Sequence, residues 1–149
     1  MIKAVLDTSV IAAAFLKPGG INHRVLREAG RRYKLYLCRH ILEELERVLR
    51  YPRIRSRYPH SEEELEKFIQ AVKGLAERIY KRCPKVDVIA EDPADNEILG
   101  CRLTAKADYI VSKDLHLLAL RKFQGMRIVR SDEFLSIIGR QRGLHRTGT

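Results

Sequence analysis

Asp7 closes the apolar run Ile2-Lys3-Ala4-Val5-Leu6, and Asp114 follows Tyr109-Ile110-Val111 with only Ser112 and Lys113 between. Short apolar runs rich in β-formers fit buried strands, so each acid falls just past a strand's carboxyl end. Asp95 occupies the first turn of a helix opened by Asp92-Pro93-Ala94, where proline is well placed. It shares an angular position with Ile98 and Leu99 and therefore faces inward. A further carboxylate is expected from the helix at about His40 to Arg50, whose apolar stripe is Ile41, Leu42, Leu45, Val48 and Leu49. At about 100° per residue, Glu43 points away from that stripe, while Glu44 and Glu46 flank it on opposite borders. Helical geometry excludes Glu43 and leaves Glu44 and Glu46 open. Any one of these acids can serve as a helix cap or a surface partner. Gathered at one edge they repel, and a hard divalent cation, Mg²⁺ or Mn²⁺, is the simplest agent to hold them together.

The elements that must position these acids alternate along the chain. Ile2 to Leu6, Leu35 to Cys38, Val86 to Ile89, Tyr109 to Val111 and Met126 to Val129 read as strands. Helices are expected from Thr8 or Ser9 to Pro18, from Asn22 to about Ala29, over His40 to Arg50, and from Ser61 through Ile79, the last opened by the capping box Ser61-Glu62-Glu63-Glu64. Further helices follow Asp92, Asp114 and Ser131, while Pro52 and Pro59 bracket a basic loop. Alternation of this kind predicts an α/β fold, a three-layer α/β/α sandwich around a mostly parallel, twisted sheet. Ligands of such sheets bind beyond the carboxyl ends of the strands, which is the edge that carries Asp7 and Asp114. Residues 1–138 form one domain in this reading, and 139–149 form a basic, flexible tail.

Composition narrows the class of partner. Over 149 residues, 45% hydrophobic and 32% charged describe an ordinary folded domain rather than a disordered chain. The 29 Lys and Arg outnumber the 19 Asp and Glu, a net charge of +10 that attracts polyanions. No apolar run is long enough to span a membrane, and acidic Asp7 arrives too early for a signal peptide. The three cysteines, Cys38, Cys83 and Cys101, are widely spaced with no paired metal-ligand or redox pattern. That spacing speaks against a disulfide framework and a cysteine-based zinc site, and it suits a reducing cytoplasm.

Taken in order, Val5-Leu6-Asp7-Thr8-Ser9, Leu42-Glu43-Glu44-Leu45, Asp92-Pro93-Ala94-Asp95-Asn96 and Ala107-Asp108-Tyr109-Ile110-Val111-Ser112-Lys113-Asp114 resemble the signature segments of PIN domains. The resemblance covers about residues 2 to 138 and is greatest to the prokaryotic toxin components of toxin–antitoxin systems, the VapC-like ribonucleases. It implies that Asp7, Glu44, Asp95 and Asp114 bind the metal, Mg²⁺ or Mn²⁺, and favours Glu44 over Glu46. Ser112 falls where such domains carry Thr or Ser in the catalytic set, and Ser9 where they often carry Asn or Ser. The resemblance further implies a homodimer and a cognate antitoxin protein that covers the acidic groove. Two positions depart from the pattern: Lys113 stands where Gly is frequent, and Arg102 replaces a small residue. Arg102 lies two turns beyond Asp95 and is expected to pair with the acids or touch phosphate.

The implied reaction is metal-assisted hydrolysis of RNA phosphodiesters. Other chemistries lack their parts. The chain has no Gly-rich phosphate loop and no nucleophile elbow, and position 9 is Ser, where a haloacid-dehalogenase phosphatase needs its second Asp. RNA must be drawn to an acidic site by a basic surface. The segment around Arg50, Arg53, Arg55, Arg57 and Tyr58 interleaves Arg with Tyr for phosphate contact and base stacking. The competing reading is a non-catalytic RNA-binding or assembly module with a degenerate site, against which the presence of all four acids argues.

Overall fold

The computed structural model describes residues 1–83, 93–123 and 125–147, the side chains at 93–97, 123 and 141–147 excepted. Among these residues, six strands and eight helices follow in the order β1 (Ile2–Leu6), α1 (Thr8–Leu16), α2 (Ile21–Arg27), β2 (Tyr33–Cys38), α3 (Arg39–Leu49), α4 (Pro52–Arg57), α5 (Glu62–Leu75), β3 (Ala76–Tyr80), α6 (Pro93–Ala105), β4 (Tyr109–Val111), α7 (Leu115–Leu120), β5 (Lys122–Phe123), β6 (Met126–Val129) and α8 (Ser131–Thr147). The sheet order is β3-β2-β1-β4-β6-β5. Five strands run parallel, and the two-residue β5 pairs antiparallel with β6 at the edge. This is the expected α/β architecture, with β1 at its centre and helices over the sheet.

Strand alternation sorts the sheet into two faces. Tyr33, Leu35 and Leu37 share one face with Ile2, Ala4 and Leu6, their register partners or neighbours. On that face, Tyr33 is fully buried, donates its hydroxyl to the Val25 carbonyl at 2.9 Å and meets Phe134 edge-on at 4.9 Å. One side chain thereby ties β2 to α2 and α8. The opposite face carries Val5, Tyr36 and Cys38, and α6 lies across β1 and β2. Leu35, Leu37, Leu99, Ile110 and Val111, all with no exposed surface, contribute roughly 1.5–3 kcal/mol each by burial.

Four local expectations are corrected. Residues 76–79 form the first part of β3 rather than the last turn of α5: Ile79 and Tyr80 fit a pleated edge better than a helix. Residues 52–57 are helix α4 rather than loop, because Pro52 sits at its first turn, where its missing N–H costs nothing. The N-cap of α1 is Asp7, not Thr8 or Ser9. Helix α8 continues through Gly139 to Thr147, since an interior glycine costs a helix only about 1 kcal/mol. The strand expected over Val86 to Ile89 lies outside the described residues. Ser61 accepts from the Glu64 amide at 3.0 Å, as the capping box requires.

Candidate active site

β1 and β4 are neighbours in parallel register, Leu6 beside Val111, so the next residues, Asp7 and Ser112, meet at the carboxyl edge. Ser112 Oγ donates to Asp7 Oδ2 at 2.7 Å, and Ser9 Oγ donates to the same oxygen at 2.8 Å. Ser112 Oγ in turn accepts the Asp114 amide at 2.9 Å, and Ser9 Oγ accepts the Lys113 amide at 3.2 Å. Two hydroxyls thus bridge the β1 strand end to the loop after β4. Asp is among the best helix N-caps, yet the Asp7 side chain makes no cap bond to α1. Its carboxylate is turned to the sheet edge instead.

Asp7 is almost completely buried, and burial pushes its carboxyl above the usual carboxylate range. The Ser112 and Ser9 hydroxyls oppose that rise, while the nearby negative charge of Asp114 adds to it. Asp114 is half-buried and caps α7: its Oδ1 accepts the His116 amide at 2.8 Å and the Leu117 amide at 3.2 Å. The cap fixes the side chain beside Asp7. Two like-charged carboxylates held together at the cost of desolvation are a donor set of hard oxygens. A divalent cation fits such a set.

The other expected site residues divide. Asp95 lies in the first turn of α6, with its side chain outside the described residues. Glu44 is half-buried on α3. That helix begins beside Asp7, where Thr8 Oγ1 reaches the Ile41 carbonyl at 3.5 Å, one turn before Glu44. Glu43 is exposed and pairs with Arg39 at 2.6 Å, as its position opposite the stripe requires. Glu46 lines a groove between α3 and α5 with Arg50, Glu63 and Lys67. The two borders of the stripe therefore serve different places. Lys113 is exposed, and its backbone stays out of the left-handed region, so it does not strain the turn. Arg102 is corrected: its Nε donates to the Ala107 carbonyl at 3.0 Å, and it lines a pocket with Met1, Ile2 and Asp108 at the amino end of the sheet. It lies at the edge opposite the acids because α6 runs from the carboxyl edge towards the amino edge.

The basic segment is more committed than its sequence implies. Glu62 binds both Arg50, at 2.5 Å, and Arg55, and these two guanidiniums hold its carboxyl below the usual range. Arg53 and Arg57 are exposed, and Arg57 sits 5.7 Å over the Tyr58 ring. His60 contacts the carbonyls of Tyr58 and Leu49 at 2.8 and 2.9 Å and meets Phe15 edge-on, anchoring the segment to α1 and α3. The segment joins the far end of α3. Eleven helical residues separate it from the helix start beside Asp7, roughly 16 Å at about 1.5 Å per residue.

A second group went unseen in the spacing. Cys38, Cys83 and Cys101 bring their Sγ atoms within 4.8 Å of one another, although β2, the segment after β3, and α6 each supply one. Chain spacing does not show this grouping because the three thiols come from three elements. One clue was available: Cys38 ends the strand read over Leu35 to Cys38 and so falls at its carboxyl end.

The PIN domain family pattern matches residues 3–116, a span running from β1 into the first turn of α7, and the chain belongs to that family. PIN domains are in general nucleases and typically use divalent metals. No curated protein matches the chain. Among the described residues no helix is long and apolar enough to cross a membrane.

Proposed function

We propose that this PIN domain is a divalent-metal-dependent endoribonuclease and the toxin of a toxin–antitoxin pair, acting in the cytoplasm. The observation that carries the nuclease reading is the pairing of Asp7 and Asp114 through Ser112 at the carboxyl edge of β1 and β4. In this reading Asp7, Glu44, Asp95 and Asp114 would hold Mg²⁺ or Mn²⁺. A bound divalent ion supplies an activated water and offsets charge on the phosphate. The chain's own residues do the rest. Ser112 and Ser9 hold the Asp7 carboxylate in one rotamer, and the cap at α7 fixes Asp114 beside it. Preorganised donors cost no rearrangement at the moment of reaction.

The net charge of +10 supports an RNA substrate. Arg53 and Arg57, beside the Tyr58 ring, are the side chains best disposed to meet it, while Arg50 and Arg55 are held by Glu62. The toxin assignment, the homodimer and the antitoxin rest on the resemblance of the ordered motifs alone. The test is RNA cleavage by the purified chain with Mn²⁺, Mg²⁺ or EDTA. Cleavage should require the cation, and cleavage undiminished in EDTA would sink the mechanism. RNA binding without any cleavage would favour the non-catalytic module.

A further inference from the structure

We propose that Cys38, Cys83 and Cys101 form a binding site for a thiophilic metal ion, Zn²⁺ above all, separate from the carboxylate site. Three sulfurs mutually within 4.8 Å are close to the arrangement that a tetrahedral thiolate ion imposes. With Zn–S near 2.3 Å, neighbouring sulfurs sit about 3.8 Å apart, so shifts of roughly half an ångström per side chain close the site. Cys38 and Cys101 are buried and Cys83 is partly exposed, which leaves one side open to an entering ion. His40 is near enough for its charge to act on Cys83. On binding, each thiol loses its proton to solvent and each sulfur donates to the ion.

Position gives the site its consequence. Continuing the β1–β2 register past Val5 and Tyr36 sets Asp7 level with Cys38, and Ser112 is level on the other side. Side chains level across parallel strands point to one face. Cys38 is therefore on the sheet face that α6 covers, level with Asp7, and α6 carries both Cys101 and Asp95. A metal at the thiols ties α6 and the segment after β3 to the end of β2, and so fixes the helix bearing Asp95.

The test uses the full chain, reduced and stripped of metal, titrated with Co²⁺ under excess Mg²⁺ so that hard oxygen donors are occupied. The expected result is one equivalent of Co²⁺ with a sulfur-to-cobalt charge-transfer band, displaced by Zn²⁺, and a higher melting temperature with Zn²⁺. Cys83→Ser, at the exposed corner, should keep the fold by circular dichroism and weaken binding by roughly a hundredfold or more. A folded, reduced protein without the band overturns the proposal, as does a Cys83→Ser variant that binds as well as wild type. A chain that loses two hydrogens under mild oxidant, and shows no band with Co²⁺ after reduction, marks the thiols as a redox pair and overturns it too. None of these readouts depends on RNA cleavage, so the site stands or falls apart from the nuclease reading.

Discussion

Ser112 Oγ lies 2.7 Å from Asp7 Oδ2 and donates its proton there, while it receives the amide of Asp114 at 2.9 Å. One buried hydroxyl therefore sets both the rotamer of one carboxylate and the path of the chain into the next. Ser112→Ala removes this link without adding bulk. The expected cost is about 1 kcal/mol of stability, with turnover falling tenfold or more because Asp7 loses a positioning hydrogen bond. Ser112→Thr keeps the hydroxyl and should restore most of the turnover. Melting curves alongside single-turnover cleavage separate the two effects, and equal turnover in wild type and the Ala variant would remove Ser112 from the site.

The burial that raises the Asp7 carboxyl has a definite sign in stability. Its folded-state proton is held more tightly than in the unfolded chain, so the folded state binds more protons in the window between the two pKa values. Stability without metal then falls as pH rises from the ordinary carboxylate range through the raised value. Asp7→Asn keeps an oxygen for Ser9 and Ser112 but removes the buried charge. It should flatten that fall and raise the melting temperature at neutral pH in EDTA, while abolishing metal-dependent cleavage. A variant that melts lower at neutral pH contradicts this account of the site.

Asp7 and Asp114 were legible because each stands just past an apolar run, and a parallel sheet brings such positions to one edge. Glu43 was equally legible: helical periodicity alone sends it to solvent, where Arg39 meets it. Other features depended on the third dimension. Ile79 continues the apolar spacing of α5, yet it belongs to β3 because pairing with β2 outweighs local helix preference. Arg102 matched the period of Asp95, but two helical turns carry it roughly 10 Å along the axis, to the opposite edge. Beyond the strand-end place of Cys38, the cysteines gave no signal, since proximity between residues on three elements leaves no spacing in the chain.

Glu62 is expected to restrain RNA binding, because its carboxylate is shared by Arg50 and Arg55. Glu62→Gln removes one negative charge and releases both guanidiniums for phosphate. Affinity for single-stranded RNA should rise, and its log–log salt slope should steepen by about 0.7 for each further phosphate neutralised. Arg53→Ala with Arg57→Ala should do the reverse, flattening the slope by about 0.7 for each phosphate left to its counterions. Filter binding over a series of salt concentrations checks both. Because the Arg pairs lower the Glu62 carboxyl, their stabilising effect is present above the unfolded value and is lost as pH falls through the folded one. An unchanged slope in every variant places α4 off the RNA path.

Glu44 is the acid on which helical geometry and family resemblance make a joint choice, and the groove occupied by Glu46 sharpens it. Glu46 faces α5 beside Arg50 and Lys67, whereas α3 begins against the turn that bears Asp7, through Thr8 and Ile41. Glu43→Gln breaks only an exposed pair with Arg39, and such pairs contribute little. Fold and cleavage should stay nearly intact, with stability within about 0.5 kcal/mol of wild type. Glu44→Gln preserves shape but withdraws one charge from the cation's donors. Turnover with Mn²⁺ should fall by roughly two orders of magnitude or more, equivalent to about 3 kcal/mol of transition-state stabilisation. Melting in EDTA should be level or higher for Glu44→Gln, because one repulsive carboxylate is gone. Glu46→Gln should leave cleavage unchanged. The measurement compares wild type and the three variants by RNA cleavage with Mn²⁺ and by melting in EDTA. An inactive Glu43→Gln with an active Glu44→Gln contradicts the register of α3, and an inactive Glu46→Gln alone puts the α5 side of the helix at the site.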